Sequence, residues 1–212
     1  MLGENILFVG AHHDDLEIAI GGSVRRFSSY GKKVYSAILT DSTWINEKGE
    51  RFRDPKQVLE YCDNASKVLG YIPINLCYGP CFTIEYSDDK VVTILNLIQK
   101  YNIDTLITIW PYDAHRDHRV VSQIALAASR QVPRVLVTRL SWHKTLEKFD
   151  PNFFITIDEV IDYKFEAIKC YEDEYARNKE RWEKYILSTA QLYGLKSGCK
   201  YAEGFEVIKY LI

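Results

Sequence analysis

Short unbroken apolar runs alternate along the chain with amphipathic stretches of helical period. Residues 6–10 form a continuous apolar run bounded by polar positions, the pattern of a central parallel strand covered on both faces. From Leu16 the period changes, because Leu16, Ile20, Val24 and Phe27 fall on one helical stripe and Gly31 supplies a stop. Gly21 and Gly22 weaken that helix, so their expected use is close approach to the sheet or to a ligand. Residues 34–40 read as the second strand, with Asp41 and Ser42 at its carboxyl end. Residues 43–53 are polar and aperiodic, a loop that offers part of a substrate rim.

Asp54 followed by Pro55 marks a helix start, and Leu59, Cys62, Ala65 and Leu69 give the stripe before Gly70. Residues 74–78 make a short third strand. Ser87 or Asp88 caps a helix through Val91, Leu95, Ile98 and Tyr101, which leads to a strongly β-prone fourth strand at 105–110. A second polar loop, a helix over about 118–130 and a fifth strand at 135–138 follow. A strand is expected at 153–157, with Asp158 as cap of a helix holding Val160, Ile161, Phe165 and Ile168. The charged segment after it, with Tyr175, Trp182 and Tyr185 interspersed, predicts a solvated helix with an aromatic seam, broken by Gly194 and Gly198. Residues 203–212 read as a terminal strand, with Phe205, Val207 and Lys209 alternating against Glu206, Ile208 and Tyr210.

Strands alternating with helices predict an α/β fold: a Rossmann-like, doubly wound, mostly parallel sheet with helices on both faces. The 212 residues suit one domain, with the part from about 150 as an extension of it. In the common strand order 3-2-1-4-5, the loops after strands one and four face each other at the topological switch point, where ligands bind.

Those two loops carry most of the chemistry. Residues 9–22 and 111–121 supply His12, His13, Asp14, Asp15, Asp113, His115, Asp117 and His118, in a chain with only five histidines. A catalytic zinc site needs about three nitrogen or oxygen ligands and an open position for water. His12, Asp15 and His118 meet that need, because an elbow opening a helix can aim residues three apart at one centre. Asp14, between two ligands, is placed to take a proton from water as general base. His115 is placed to stabilise the tetrahedral species, and Asp117 to orient a neighbouring imidazole. Together they suit hydrolysis of an acyl bond by metal-activated water.

Composition narrows the partners. A net charge of −2 gives no footprint for nucleic acid, and no apolar stretch approaches the roughly 20 residues of a spanning helix. The apolar run at the N-terminus is too short for a signal peptide, and five cysteines without CxxC spacing favour neither disulfides nor structural zinc. The expectation is a cytoplasmic protein with a small-molecule substrate; a homo-oligomer is left open.

The stretch AHHDDLEIAIGGS resembles the AHPDDxE motif, and HRDH the HxDH motif, of the PIG-L/LmbE-like zinc-dependent N-deacetylases. Thr40-Asp41 stands where that family often has TDG, and Ala202-Glu203-Gly204-Phe205 resembles its AExF signature. The resemblance implies Zn²⁺ on His12, Asp15 and His118, and the same ligand types also suit another divalent ion such as Fe²⁺. It also implies Asp14 as base, His115 as the group that assists the oxyanion and leaving amine, and an N-acylated amino sugar or sugar conjugate as substrate. The chain departs from the pattern at His13 and Arg116, where proline is usual, and at Ser42 in place of glycine.

Trp44, Trp110, Tyr112 and Trp142 offer stacking surfaces for a sugar, against the plainer role of core or rim packing. Tyr112 also offers an oxyanion donor. Arg53 offers an anion contact, against the plainer reading of a solvated side chain. Glu203 is either a buried partner of the site or a strand-edge charge. Two rival functions remain: iron(II) oxygen chemistry on the same two histidines and carboxylate, and a non-catalytic Rossmann-like binding module. The second is disfavoured because the first loop lacks GxGxxG and its carboxylates repel a pyrophosphate.

Overall fold

Successive side chains of the first strand enter different cores. In β1 (Asn5–Gly10), Ile6 and Phe8 join one apolar cluster, while Leu7 and Val9 join the other. A strand walled on both faces needs helices on both sides, and the chain provides them. The computed structural model describes residues 3–211. After β1 come α1 (Asp15–Ser29), β2 (Lys33–Ile38), β3 (Trp44–Ile45), β4 (Arg51–Phe52), α2 (Pro55–Leu69) and β5 (Ile72–Asn75). Then follow α3 (Asp88–Lys100), β6 (Thr105–Ile109), α4 (Arg116–Ala128) and β7 (Arg134–Thr138). The chain ends with β8 (Phe153–Thr156), α5 (Ile161–Lys169), α6 (Glu172–Ser197) and β9 (Ala202–Tyr210).

The sheet order is β5-β2-β1-β6-β7-β9-β8. The first five strands are parallel and in the expected 3-2-1-4-5 order, and β9 and β8 extend the sheet antiparallel. Residues from α1, α2, α5 and α6 fill one cluster, and those from α3 and α4 fill the other. The fold is thus the doubly wound, mostly parallel α/β sheet that the pattern predicts.

Several boundaries move for physical reasons. The aperiodic stretch 43–53 contains a small hairpin, β3 paired with β4, closed by Trp44 stacked on Phe52 with ring centroids 3.9 Å apart. The helix expected from about 118 starts at Arg116, because the His115 side chain accepts the Asp117 N–H and caps it. Ser87 takes the cap position of α3, but its hydroxyl accepts from Lys90 Nζ and not from a helix amide. Asp158 caps no helix either; it accepts the N–H groups of Tyr201 and Lys200 and ties the entry of α5 to the start of β9.

Gly194 does not break α6. It lies inside the helix, where a Cβ would meet the Lys200 carbonyl oxygen at 2.5 Å, and only Gly198 in the left-handed region ends it. In β9 the face carrying Phe205 and Val207 turns to the core. Ile212, the last residue of the expected terminal strand, lies outside the described residues.

Candidate active site

β1 and β6 pair in parallel register, with Ile6 opposite Thr105 and Val9 opposite Thr108, so the loops that follow them leave the same edge of the sheet. Asp15 opens α1 and folds its carboxylate back on its own loop. Its Oδ2 accepts the Ala11 N–H at 2.8 Å and the His12 N–H at 2.9 Å. Its Oδ1 is left 3.5 Å from His12 Nδ1 and 3.3 Å from His118 Nε2. Those two nitrogens lie 3.3 Å from each other. An ion held tetrahedrally by bonds of about 2.0–2.1 Å sets its donors about 3.3–3.4 Å apart, so this triangle fits one divalent metal.

Two looser sets overlap it: His12 with His115 and His118, and His12 with Cys81 and Asp117, their donor atoms within 4.8 Å of one another. The tighter triangle is the better fit. Its three donor atoms lie within 3.5 Å of one another, whereas in the second looser set Asp117 Oδ2 already accepts the Phe82 N–H at 2.6 Å.

Each imidazole of the triangle is oriented from behind by a carboxylate. His118 Nδ1 donates to Asp113 Oδ1 at 2.9 Å, and His12 Nε2 donates to Asp117 Oδ2 at 3.3 Å. With the outer nitrogens turned to these carboxylates, the inner ones are the pair that a bound ion would meet. Asp117 thus stands behind a ring, as its spacing suggests. The spacing assigns Asp113 no role, yet it is equally buried and also accepts the N–H groups of His115 and Ser141. Its position five residues before His118 in the same loop was the available signal.

The electrostatics favour a cation at the centre. Burial works against charge on His118, but Asp15 and Asp113 push its pKa up to about 9. Burial likewise opposes charge on His12, and Asp15 and Asp117 still hold it well above the ordinary histidine value. Burial would raise Asp15, but His118 and His12 keep it well below the usual carboxylate range. A divalent ion would displace the imidazole protons and satisfy the same carboxylates.

Asp14 sits at the N-cap of α1, but its side chain makes no capping hydrogen bond. Its carboxylate lines the cavity, and burial raises its pKa to about 6 against the pull of Arg53. His115 faces the same space. Burial, followed by His12 and His118, lowers its pKa to about 4, so the ring is neutral near pH 7. Because Nδ1 accepts the Asp117 N–H, the proton of the neutral ring is on Nε2, the free donor.

A cavity of about 750 Å³ opens over these groups. Trp44 and Trp142 line it, and Phe82, Glu174, Asn178 and Trp182 join them. The α6 residues were missed because their charged surroundings read as a solvated face. Arg53 is not a free surface charge. Its Nε donates to Asp173 Oδ2 at 2.7 Å and its guanidinium reaches the Ser42 carbonyl, yet it still lines the cavity. Tyr112 is 56% exposed, packs its ring edge on Trp110 and is absent from the cavity lining, which removes it as an oxyanion donor in this arrangement. Trp110 is buried in the core behind it.

Two of the departures from the family pattern are partners. His13 is buried, and its backbone N–H, a group proline lacks, donates to Ser42 Oγ at 2.9 Å. Its Nε2 lies 3.1 Å from Asn75 Oδ1 and its Nδ1 2.7 Å from Ser42 Oγ, so the serine hydroxyl donates to the ring while accepting the amide. Ser42 holds φ at 58°, the left-handed region glycine adopts without strain.

Among curated proteins, the chain is 26% identical over 222 residues to the diacetylchitobiose deacetylase of Thermococcus kodakarensis, covering 97% of this chain and 83% of that one. The crystal structure of N,N'-diacetylchitobiose deacetylase from Pyrococcus horikoshii superposes with a TM-score of 0.79 at 21% identity, over 97% of this chain and 84% of that one. The 4-carboxy-2-hydroxymuconate hydratase GalB of Pseudomonas putida shares the fold as well, at a TM-score of 0.77 and 17% identity over 99% and 98% of the two chains. The profile of the PIG-L family, described as GlcNAc-PI de-N-acetylase, matches residues 7–129, more than half of the sequence and the span of both histidine loops; the chain belongs to that family.

Proposed function

We propose that the protein is a zinc-dependent N-deacetylase that hydrolyses the acetamide of an N-acetylated amino sugar or its conjugate. The observation that carries this reading is Asp14: a half-buried carboxylate that lines the cavity next to the donor triangle, without a capping bond and with its pKa raised to about 6. A base of that kind suits proton abstraction near neutral pH. The family membership and the similarity to diacetylchitobiose deacetylase support the substrate class.

His12, Asp15 and His118 would hold the ion. When bound, it supplies a water of lowered pKa, about 7, and polarises the amide carbonyl. Asp14 accepts the proton of the attacking water as oxygen bonds to the carbonyl carbon. His115 Nε2–H donates a hydrogen bond to the oxygen that gains charge. As the C–N bond breaks, the proton taken by Asp14 passes to the departing nitrogen, and acetate and a free amine result. Asp113 and Asp117 keep the two imidazoles oriented throughout. The aromatic rim of Trp44, Phe82 and Trp142 offers faces for a sugar ring.

The test is acetate release from a panel of N-acetyl sugars, abolished by chelator and restored by Zn²⁺. Absence of release across the panel from metal-loaded protein would overturn the substrate assignment. Turnover that consumes oxygen would favour the iron(II) reading instead.

A further inference from the structure

Helix α1 is interrupted where it leaves the site. Ile20 has φ −135° and ψ 17°, outside the helical region, so the helix is a first segment carrying Asp15 and a second segment behind it. Such a break strands backbone groups on both sides. In an unbroken helix the Gly22 and Ser23 amides would bond the carbonyls of Ile18 and Ala19. Here they donate to Glu203 instead, Gly22 N–H to Oε1 at 3.0 Å and Ser23 N–H to Oε2 at 2.7 Å. The Ala19 carbonyl receives Lys164 Nζ at 3.4 Å, and Lys164 in turn pairs with Glu203 at 2.5 Å. Both side chains are buried, at 3% and 4% exposure.

The charges match the broken dipole: a carboxylate on the exposed amides of the second segment and an ammonium on the terminal carbonyl of the first. The two glycines make room for this. A Cβ on Gly21 would come within 3.3 Å of the Lys164 side chain, and one on Gly22 within 2.7 Å of Ile157. Their close approach is therefore to α5 and the segment before it, not to the sheet or a ligand. Ile18, on the first segment, forms a wall shared by the main cavity and the small space around the ion pair.

We propose that Glu203 and Lys164 are positioning residues, a two-sided cap that fixes the break in α1 and so sets Asp15 against His12 and His118. The proposal rests on Asp15 being a metal ligand. Without the pair, the stranded amides draw the break back toward a continuous helix and the first turn loses its fixed direction. The carboxylate of Asp15 must hold its place to a few tenths of an ångström for the 3.3 Å and 3.5 Å separations to persist.

The experiment compares Glu203→Gln with wild type in two measurements that need no substrate. Zn²⁺ affinity, read by competition with a chromophoric chelator, is expected to fall about 10- to 100-fold. Amide exchange of residues 16–19 in metal-free protein is expected to accelerate on the order of tenfold, while α3 keeps its wild-type protection. Wild-type affinity and exchange in the folded variant overturn the proposal. If Glu203→Gln does not fold, Lys164→Gln and Lys164→Arg decide: loss of affinity in the first with retention in the second supports the cap, and wild-type values in the first overturn it. Ile98→Val, in the opposite core, controls for general softening; an equal loss of Zn²⁺ affinity at equal loss of Tm would also overturn it. The stoichiometry of Zn²⁺ on wild type reports separately on whether Asp15 belongs to a metal site.

Discussion

The floor and the rim of the cavity are built by different means. The floor comes from two loops that leave neighbouring parallel strands, and both imidazoles of the donor triangle are backed by a buried carboxylate with further backbone donors. The rim comes from the short β3–β4 hairpin, the Phe82 turn, the stretch around Trp142 and the first turns of α6, and it is rich in aromatic rings. The contrast separates two tasks. A floor whose metal-facing imidazoles are held by buried carboxylates keeps charge in fixed places, whereas a rim of partly exposed rings supplies area that a bound sugar can cover. Changes to the floor should therefore alter metal binding or rate, and changes to the rim should alter apparent substrate affinity.

The comparison breaks first at Asp15. Asp15→Ala removes one corner of the donor triangle, so elemental analysis is expected to find the single divalent ion per chain lost, and deacetylation with it; full occupancy would contradict the ligand set. Asp14→Asn is expected to keep the ion and lower kcat by about 10²- to 10⁴-fold, since the base is gone and the donors remain. Loss of the ion in that variant would move Asp14 from base to ligand. Asp113→Asn weakens the hold on His118 from behind, and chelator competition should show Zn²⁺ affinity reduced by about 10- to 100-fold. Trp142→Ala is the mildest change. KM should rise about two- to tenfold with kcat and metal content unchanged, and a matching fall in kcat would place Trp142 in the floor's task.

The same division explains what could be read from sequence. The strand order and both histidine loops were legible because buried parallel strands leave continuous apolar runs, and because a switch point turns a hundred residues of separation into adjacency. The hairpin closed by Trp44 and Phe52 was not, since two-residue strands are too short to show a period. Arg53 looked solvated because its partner Asp173 lies 120 residues away in α6. Glu203 sits in a motif, but its target is a pair of backbone amides that no side-chain pattern announces. Gly194 read as a helix breaker because the close approach of the Lys200 backbone is a tertiary fact.

The His13–Ser42 contact carries a consequence for exchanging either residue alone. A histidine arriving first, opposite glycine, would bury an amide with no acceptor, at a cost of about 1–3 kcal/mol. A serine arriving first, opposite proline, would take on left-handed strain with no donor to compensate it. Each replacement is favourable only in the company of the other, so the two positions are epistatic and reverting either one alone should be worse than reverting both.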